Sequence, residues 1–162
     1  MKAGSELMKI SNIESPIEQS HTGKGNPNAI LIIGVELNNR QKKLLDFLSE
    51  YDSRVLVNKS EVNMSDLSAF TAVTGDEFAM FTKGNNRLVI RGDKSGVNVD
   101  KAEAKKLASE GFKWSGHTHP GTDFLCMQPS DGDYSILDSF KQEISVIYNS
   151  KGDFRTFEKR RY

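Results

Sequence analysis

Apolar positions along this chain come in short blocks whose spacing alternates between the period of a helix and that of a strand. After an apolar run at 29–35, Leu44, Leu45, Phe47, Leu48 and Tyr51 recur as one helical stripe behind Asn38 or Asn39, either of which can cap it. Val55 and Val57 alternate with polar neighbours as a short strand. Ser65 stands where an N-cap belongs for a helix carrying Leu67, Ala69, Phe70 and Val73, and Gly75 stands where that helix must stop. Residues 76–82 and 87–91 flank Lys-Gly-Asn-Asn, a loop suited to positive φ, and predict a β-hairpin with Glu77 on its first strand. Asp100 and Glu103 fit a D-x-x-E form of the capping box, opening a helix with Ala104, Leu107 and Ala108 that ends at Gly111.

Phe112 and Trp114 read as one face of a strand running to 118, which Pro120 breaks into a loop reaching Pro129. Ser130 then opens a helix with Ile136, Leu137 and Phe140 on its buried side. Ile144, Val146 and Tyr148 alternate with polar positions, Ser-Lys-Gly-Asp turns the chain, and 154–157 returns it as a final strand. Helices alternate with strands throughout, without internal repeats. The expected fold class is therefore α/β, a mixed β-sheet with β-hairpins packed by about four helices. Residues 1–28 mix Ser, Gly, Asn and Pro with no sustained period and are expected to be a flexible leader or linker, with His21 inside it, ahead of one domain over 29–162.

Composition narrows the function classes. The 22 basic and 22 acidic residues cancel, which gives no global electrostatic footprint for nucleic acid or an anionic membrane. No apolar run approaches the roughly 20 residues of a membrane span, and the start lacks the basic-then-apolar order of a signal peptide, so a soluble protein is expected. Compartment stays open. The lone cysteine, Cys126, has no disulfide partner and cannot build a thiolate zinc site, so any metal must use histidine and carboxylate ligands. An isolated cysteine with apolar neighbours is ordinarily a small buried hydrophobe.

The candidate chemistry sits in Ser-Gly-His117-Thr-His119-Pro, followed by Ser130 and Asp133. On a strand, alternate side chains share a face, so both imidazoles project from one side and Thr118 from the other. Their Cβ atoms then lie roughly 6.6 Å apart, a span that two imidazoles can bridge to one ion. Asp133 is the best third ligand, because a short loop can return the first turn of its helix to the end of the histidine strand. Phe124, Leu125 and Met127 in that loop either line a substrate groove or pack beneath it. Ser130-Asp-Gly-Asp133 also reads as a capping box, in which the carboxylate satisfies an amide instead of facing an ion.

The pattern H-x-H, ten residues, then S-x-x-D resembles the signature of JAMM (MPN+) metallopeptidases, whose family pattern adds an upstream glutamate on another strand. Glu77, in Gly-Asp-Glu-Phe-Ala-Met-Phe, fits that place; Glu36, Glu61 and Glu110 rank lower. The matching stretch runs over about 75–157, and the wider sequence is similar to the C-terminal JAMM-type domains of bacterial polymorphic toxins. The resemblance implies a JAMM/MPN-like fold with cytidine-deaminase-like layering, and Zn²⁺ held by His117, His119 and Asp133. It further implies Glu77 as general base, Ser130 assisting at the oxyanion, and hydrolysis of a peptide or isopeptide bond in a peptide or protein substrate. An immunity protein is the partner a toxin implies.

Other classes compete. Two histidines and a carboxylate also suit non-haem Fe(II) oxygenases, but these place the carboxylate beside the first histidine. Zinc deaminases need a Pro-Cys-x-x-Cys pair, which one cysteine cannot supply. A non-enzymatic module stapled by a metal remains the alternative. Fe²⁺ or Mn²⁺ fits the same ligand types.

Overall fold

Each α-helix among the described residues begins where a short polar side chain satisfies an amide that the first turn leaves unpaired. The structure is a computed structural model that describes residues 35–161, so the expected leader, His21 and nearly all of the run at 29–35 lie outside the described residues. Helix α1 (Asn39–Phe47) is capped by Asn38, with Gln41 closing the capping box. Helix α2 (Met64–Thr74) is capped by Asn63 and not by Ser65, and it ends on Gly75 at φ 76°. The cap falls two residues earlier because Asn63 puts Asp66 at the third helical position. There the carboxylate both returns to the Asn63 amide and takes a two-pronged ion pair from Arg40, with each contact at 2.8 Å.

Helix α3 (Lys101–Ser109) is capped by Asp100, but Glu103 does not complete the expected box. Its carboxylate turns instead to the buried guanidinium of Arg54, 2.6 Å away, since a charged donor competes better than a neutral amide. Helix α4 (Asp131–Ser139) has the full box, made by Ser130 and Asp133.

The strands are β1 (Arg54–Asn58), β2 (Phe78–Lys83), β3 (Asn86–Arg91), β4 (Lys113–Thr118), β5 (Ile144–Tyr148) and β6 (Phe154–Glu158). They form one six-stranded mixed sheet in the order β1-β3-β2-β4-β5-β6. All neighbours are antiparallel except β4 and β5, which the crossover through α4 makes parallel. Alternation along the central strands divides the core in two. Phe78, Met80 and Val89 pack with Leu44, Leu45, Leu67 and Phe70 of α1 and α2. Ala79, Phe81, Leu88 and Ile90 pack with Leu107 of α3 and Leu137 of α4. Helices therefore cover both faces, and the four helices among the described residues match the expected α/β class.

Two expectations about faces change. Tyr51 lies beyond the end of α1 and is half exposed, so the helical stripe stops at Leu48. On β5 the buried positions are Ser145 and Ile147, one residue out of phase with the apolar alternation. Pairing with β4 puts Ile147 beside His117 in the α3–α4 core, and Val146 and Tyr148 are left half covered on the other face. No described helix is long and apolar enough to cross a membrane.

Candidate metal centre

Strand β4 is where the sheet is least regular, and that irregularity builds the site. Met80 pairs with Gly116 and Phe81 with Trp114, leaving Ser115 as an extra residue in a β-bulge. Strict alternation would put Trp114 and His117 on opposite faces. The bulge brings them to the same face, where their rings stack with centroids 5.0 Å apart. Gly116 makes this possible: a Cβ there would stand 2.7 Å from Val146 Cγ1 and 3.0 Å from the Val146 carbonyl oxygen. Thr118 points to the opposite layer, bonding Thr71 Oγ1 at 2.6 Å and accepting from the Phe78 amide at 2.9 Å.

His119 lies just past the end of β4, and its amide donates to the Tyr148 carbonyl at 2.9 Å. The following loop folds back over it through a short 3₁₀ turn, Leu125–Met127. Three ties hold the loop to the β5–β6 turn: the Ser150 amide donates to the Gly121 carbonyl at 2.9 Å, the Gly121 amide donates to Ser150 Oγ at 3.1 Å, and Asn149 Nδ2 donates to the Asp123 carbonyl at 3.3 Å. So held, the loop brings the Cys126 carbonyl 2.8 Å from His119 Nδ1. Sequence reasoning missed this role for Cys126, which uses the backbone and leaves no side-chain signature. The thiol itself, pushed up to about 11 by burial and by Asp123, bonds the Asp123 carbonyl and offers no thiolate ligand.

Helix α4 delivers the carboxylate. The Asp133 amide donates to Ser130 Oγ at 3.1 Å, and the Ser130 amide donates to Asp133 Oδ2 at 2.9 Å. The same carboxylate faces both imidazoles, with Oδ1 3.1 Å from His117 Nε2 and Oδ2 3.3 Å from His119 Nε2. The Asp133 carboxylate thus closes the capping box and faces both imidazoles at once. Ser130 Oγ accepts the Asp133 amide and keeps its own hydrogen to donate.

Glu77 sits immediately before β2, not within it. Its backbone is fixed by the Gly92 amide donating to its carbonyl at 2.7 Å and by its own amide donating to the Asp93 carbonyl at 2.9 Å. The residue is 8% exposed, and Oε2 lies 4.0 Å from His119 Nε2. Glu36, Glu61 and Glu110 are absent from the residues around the cavity.

Glu77, His117 and His119 each offer a ligand atom within 4.8 Å of the others, so a possible metal-binding triad exists. Asp133 lies closer still. Ligands about 2.0–2.1 Å from a tetrahedral ion stand roughly 3.3–3.4 Å from one another. The two histidine–Asp133 separations and the 3.1 Å between the two Nε2 atoms are near that edge. The 4.0 Å to Glu77 is longer, as for a group one hydrogen bond outside the ligand sphere. Asp133 thus stands nearer to both imidazole nitrogens than Glu77 stands to His119.

Tautomers sharpen the fit. The Cys126 carbonyl can only accept, so His119 Nδ1 carries a proton, and in the neutral ring Nε2 is a lone pair. That lone pair faces the carboxylates of Asp133 and Glu77. A proton between the two Nε2 atoms, which stand 3.1 Å apart, or a metal ion would relieve that contact. His117 departs from the usual pattern for ligating histidines, in which the second ring nitrogen donates to an acceptor. Its Nδ1 is buried without a hydrogen-bond partner among the described residues, and the stack on Trp114 fixes the ring instead.

The charges follow from burial and neighbours. Burial pushes the Glu77 carboxyl up to about 8; His119 opposes that shift and Asp133 adds to it. Burial also holds His117 below the ordinary imidazole value, with Asp133 opposing. For His119 burial is outweighed by the bond to Asp133 and the charge of Glu77, which raise it. Asp133, despite burial, is held well below the usual carboxylate range by its bonds to His117 and His119.

A cavity of about 460 Å³ opens on this cluster, with Glu77, His117, His119, Ser130 and Asp133 in its wall. Phe124, Leu125 and Met127 do not line it. The first two are exposed and Met127 is fully buried in the core beneath the loop. The remaining wall comes from β2, β4, α4 and the 95–101 loop, whose Val97 and Val99 carry no recognisable motif. The site's chemistry rests on this geometry, since comparison with known protein families, curated proteins and solved structures finds no match to the chain.

Proposed function

We propose that this protein is a zinc-dependent hydrolase of peptide or isopeptide bonds with a JAMM/MPN-like fold and centre. The observation that carries the proposal is the convergence of two imidazole nitrogens and the Asp133 carboxylate at tetrahedral-edge distances, with Glu77 set one hydrogen bond further out. His117, His119 and Asp133 would hold the ion. Zinc, when bound, supplies a Lewis acid that polarises a carbonyl and lowers the pKa of a water molecule to about 7.

The chain's own residues supply the rest. Glu77 Oε2 takes a proton as the nucleophile attacks and returns it to the leaving amine, the work of a general base and then a general acid. Burial of Glu77 suits a group that must alternate between its two protonation states. Ser130 Oγ, whose hydrogen is uncommitted, donates to the oxyanion of the tetrahedral intermediate. The Cys126 carbonyl fixes the His119 tautomer, and the Trp114 stack orients His117. Pattern similarity to polymorphic toxin domains supports a toxin effector role, with a peptide or protein substrate and an immunity protein as partner. The balanced charge argues against nucleic acid.

Metal content tests the centre. Purified protein should carry one zinc per chain, lost in the double variant His117→Ala with His119→Ala. If the wild type carries no metal and gains no stability from added zinc, the proposal fails. Glu77→Gln should keep the metal and lose peptide cleavage. A metal-stapled binding module, the alternative, would be indifferent to that change. In a susceptible cell, expression of the wild type should be harmful and that of Glu77→Ala harmless; equal harm from both would sink the proposed mechanism, and harm from neither would end the toxin reading.

A further inference from the structure

The cavity is chemically mixed. Beside Glu77, His117, His119 and Asp133, it is lined by the apolar side chains of Ala79, Phe81, Val97, Val99, Trp114 and Ile136. Ala79, Phe81 and Trp114 are core residues of β2 and β4, and Val97, Val99 and Ile136 pack against that core while keeping part of their surface uncovered. The remaining charged residues around it, Asp100 and Lys101, are exposed. Asp100 is moreover already engaged, since its carboxylate caps α3 by accepting the Glu103 amide at 2.8 Å.

We infer that this site selects a substrate carrying a bulky apolar side chain, aromatic or branched aliphatic, on the residue adjoining the bond it cleaves. The inference rests on the hydrolase reading and specifies its substrate class. The wall is continuous with the reacting groups: His117 both faces Asp133 and stacks on Trp114, so a chain seated at the centre has its neighbouring side chain against that indole. A charged side chain there would surrender its hydration with no partner on the apolar wall. A glycine would leave the wall wet and forgo its burial. At 460 Å³ the space lies within the range of small-ligand sites and takes one large side chain with its flanking backbone. Burial of such a side chain is expected to favour it over glycine by roughly tenfold to a hundredfold in kcat/KM.

Trp114 makes the test direct, because it is the only tryptophan in the sequence. The zinc-loaded protein is titrated with N-acetyl-phenylalanine amide and with N-acetyl-glycine amide while indole emission is followed. A mixed peptide library is then digested and its cleavage sites are read by mass spectrometry. We expect a saturable emission change with the phenylalanine probe alone and cleavage beside large apolar residues. Ile136→Phe and, on the separate loop, Val97→Phe fill the space and should each collapse the preference for phenylalanine over glycine. Equal responses to the two probes, or cleavage beside glycine or charged residues unaffected by either variant, would overturn the inference and leave the hydrolase reading standing. Absence of both bound metal and cleavage would overturn the two together.

Discussion

Asp133 makes two sets of contacts with one carboxylate, to the Ser130 amide and to both imidazoles, and they can be separated by substituting it and its capping partner. Ser130→Ala removes the oxygen that accepts the Asp133 amide but leaves the Ser130 amide donating to Asp133 Oδ2. It should cost about 1 kcal/mol of stability, the usual worth of an N-cap, or roughly 3–5 °C in Tm for a domain of this size. Asp133→Asn keeps an oxygen for that amide but removes the charge that faces both imidazoles, 3.1 and 3.3 Å away. Zinc affinity should then fall by on the order of 100-fold, at the upper end of what losing a supporting group costs a metal site. Linkage turns this into a stability readout. Free zinc at a hundred times the wild-type Kd stabilises the fold by about 2.7 kcal/mol, whereas a site 100-fold weaker gains only about 0.4 kcal/mol from it. Urea unfolding with and without zinc should therefore show the full increment in wild type and Ser130→Ala and almost none in Asp133→Asn. Equal increments in all three proteins would show that Asp133 is a cap and nothing more.

Other expectations follow from single contacts. Gly116→Ala should lower stability by about 1–3 kcal/mol and weaken zinc binding, since the new Cβ would meet Val146 at 2.7 Å and force the bulge apart; unchanged urea midpoint and zinc affinity would contradict it. Arg54→Ala should cost about 3–5 kcal/mol in urea unfolding, because Glu103 is left a largely buried carboxylate without its cation. For Asp66, burial is outweighed by the bonds from Arg40 and Gln41, and its pKa is lowered. A depressed acid contributes stability above its unfolded value of about 3.9 and loses it as pH falls through the folded value. Asp66→Asn should therefore flatten the fall in urea midpoint below about pH 4, and an unchanged profile would remove the pair from the account.

What could be read in advance depended on how local its cause was. The β2–β3 hairpin, the Gly75 stop and the alternation of Val55 and Val57 are short-range effects of turn chemistry and side-chain period, and all three are present. Cap positions failed where a distant charge intervened: Glu103 was drawn to Arg54, 49 residues away in sequence, and Asn63 displaced Ser65 because Asp66 could also meet Arg40. The phase of β5 failed for a similar reason, since its parallel pairing with β4 decides which side is covered.

The site shows the same division more sharply. His117 was legible from strand period and Ser130 and Asp133 from helix capping, whereas His119, just past the end of β4, was legible only from its spacing to His117. Glu77 comes from the segment just before β2 and could be selected only through a family pattern. Its 8% exposure and 4.0 Å approach to His119 are products of the β2–β4 pairing, which no local period encodes. The supports were invisible: a bulge that turns Trp114 onto His117, and a backbone carbonyl that sets the proton on His119. Both act through backbone geometry, so neither imposes a residue type that could be recognised, except at Gly116, where the approach of Val146 leaves no room for a side chain. The lone pair that His119 turns toward Asp133 and His117 is thus a consequence of tertiary structure, even though the histidine itself was the most legible feature of the chain.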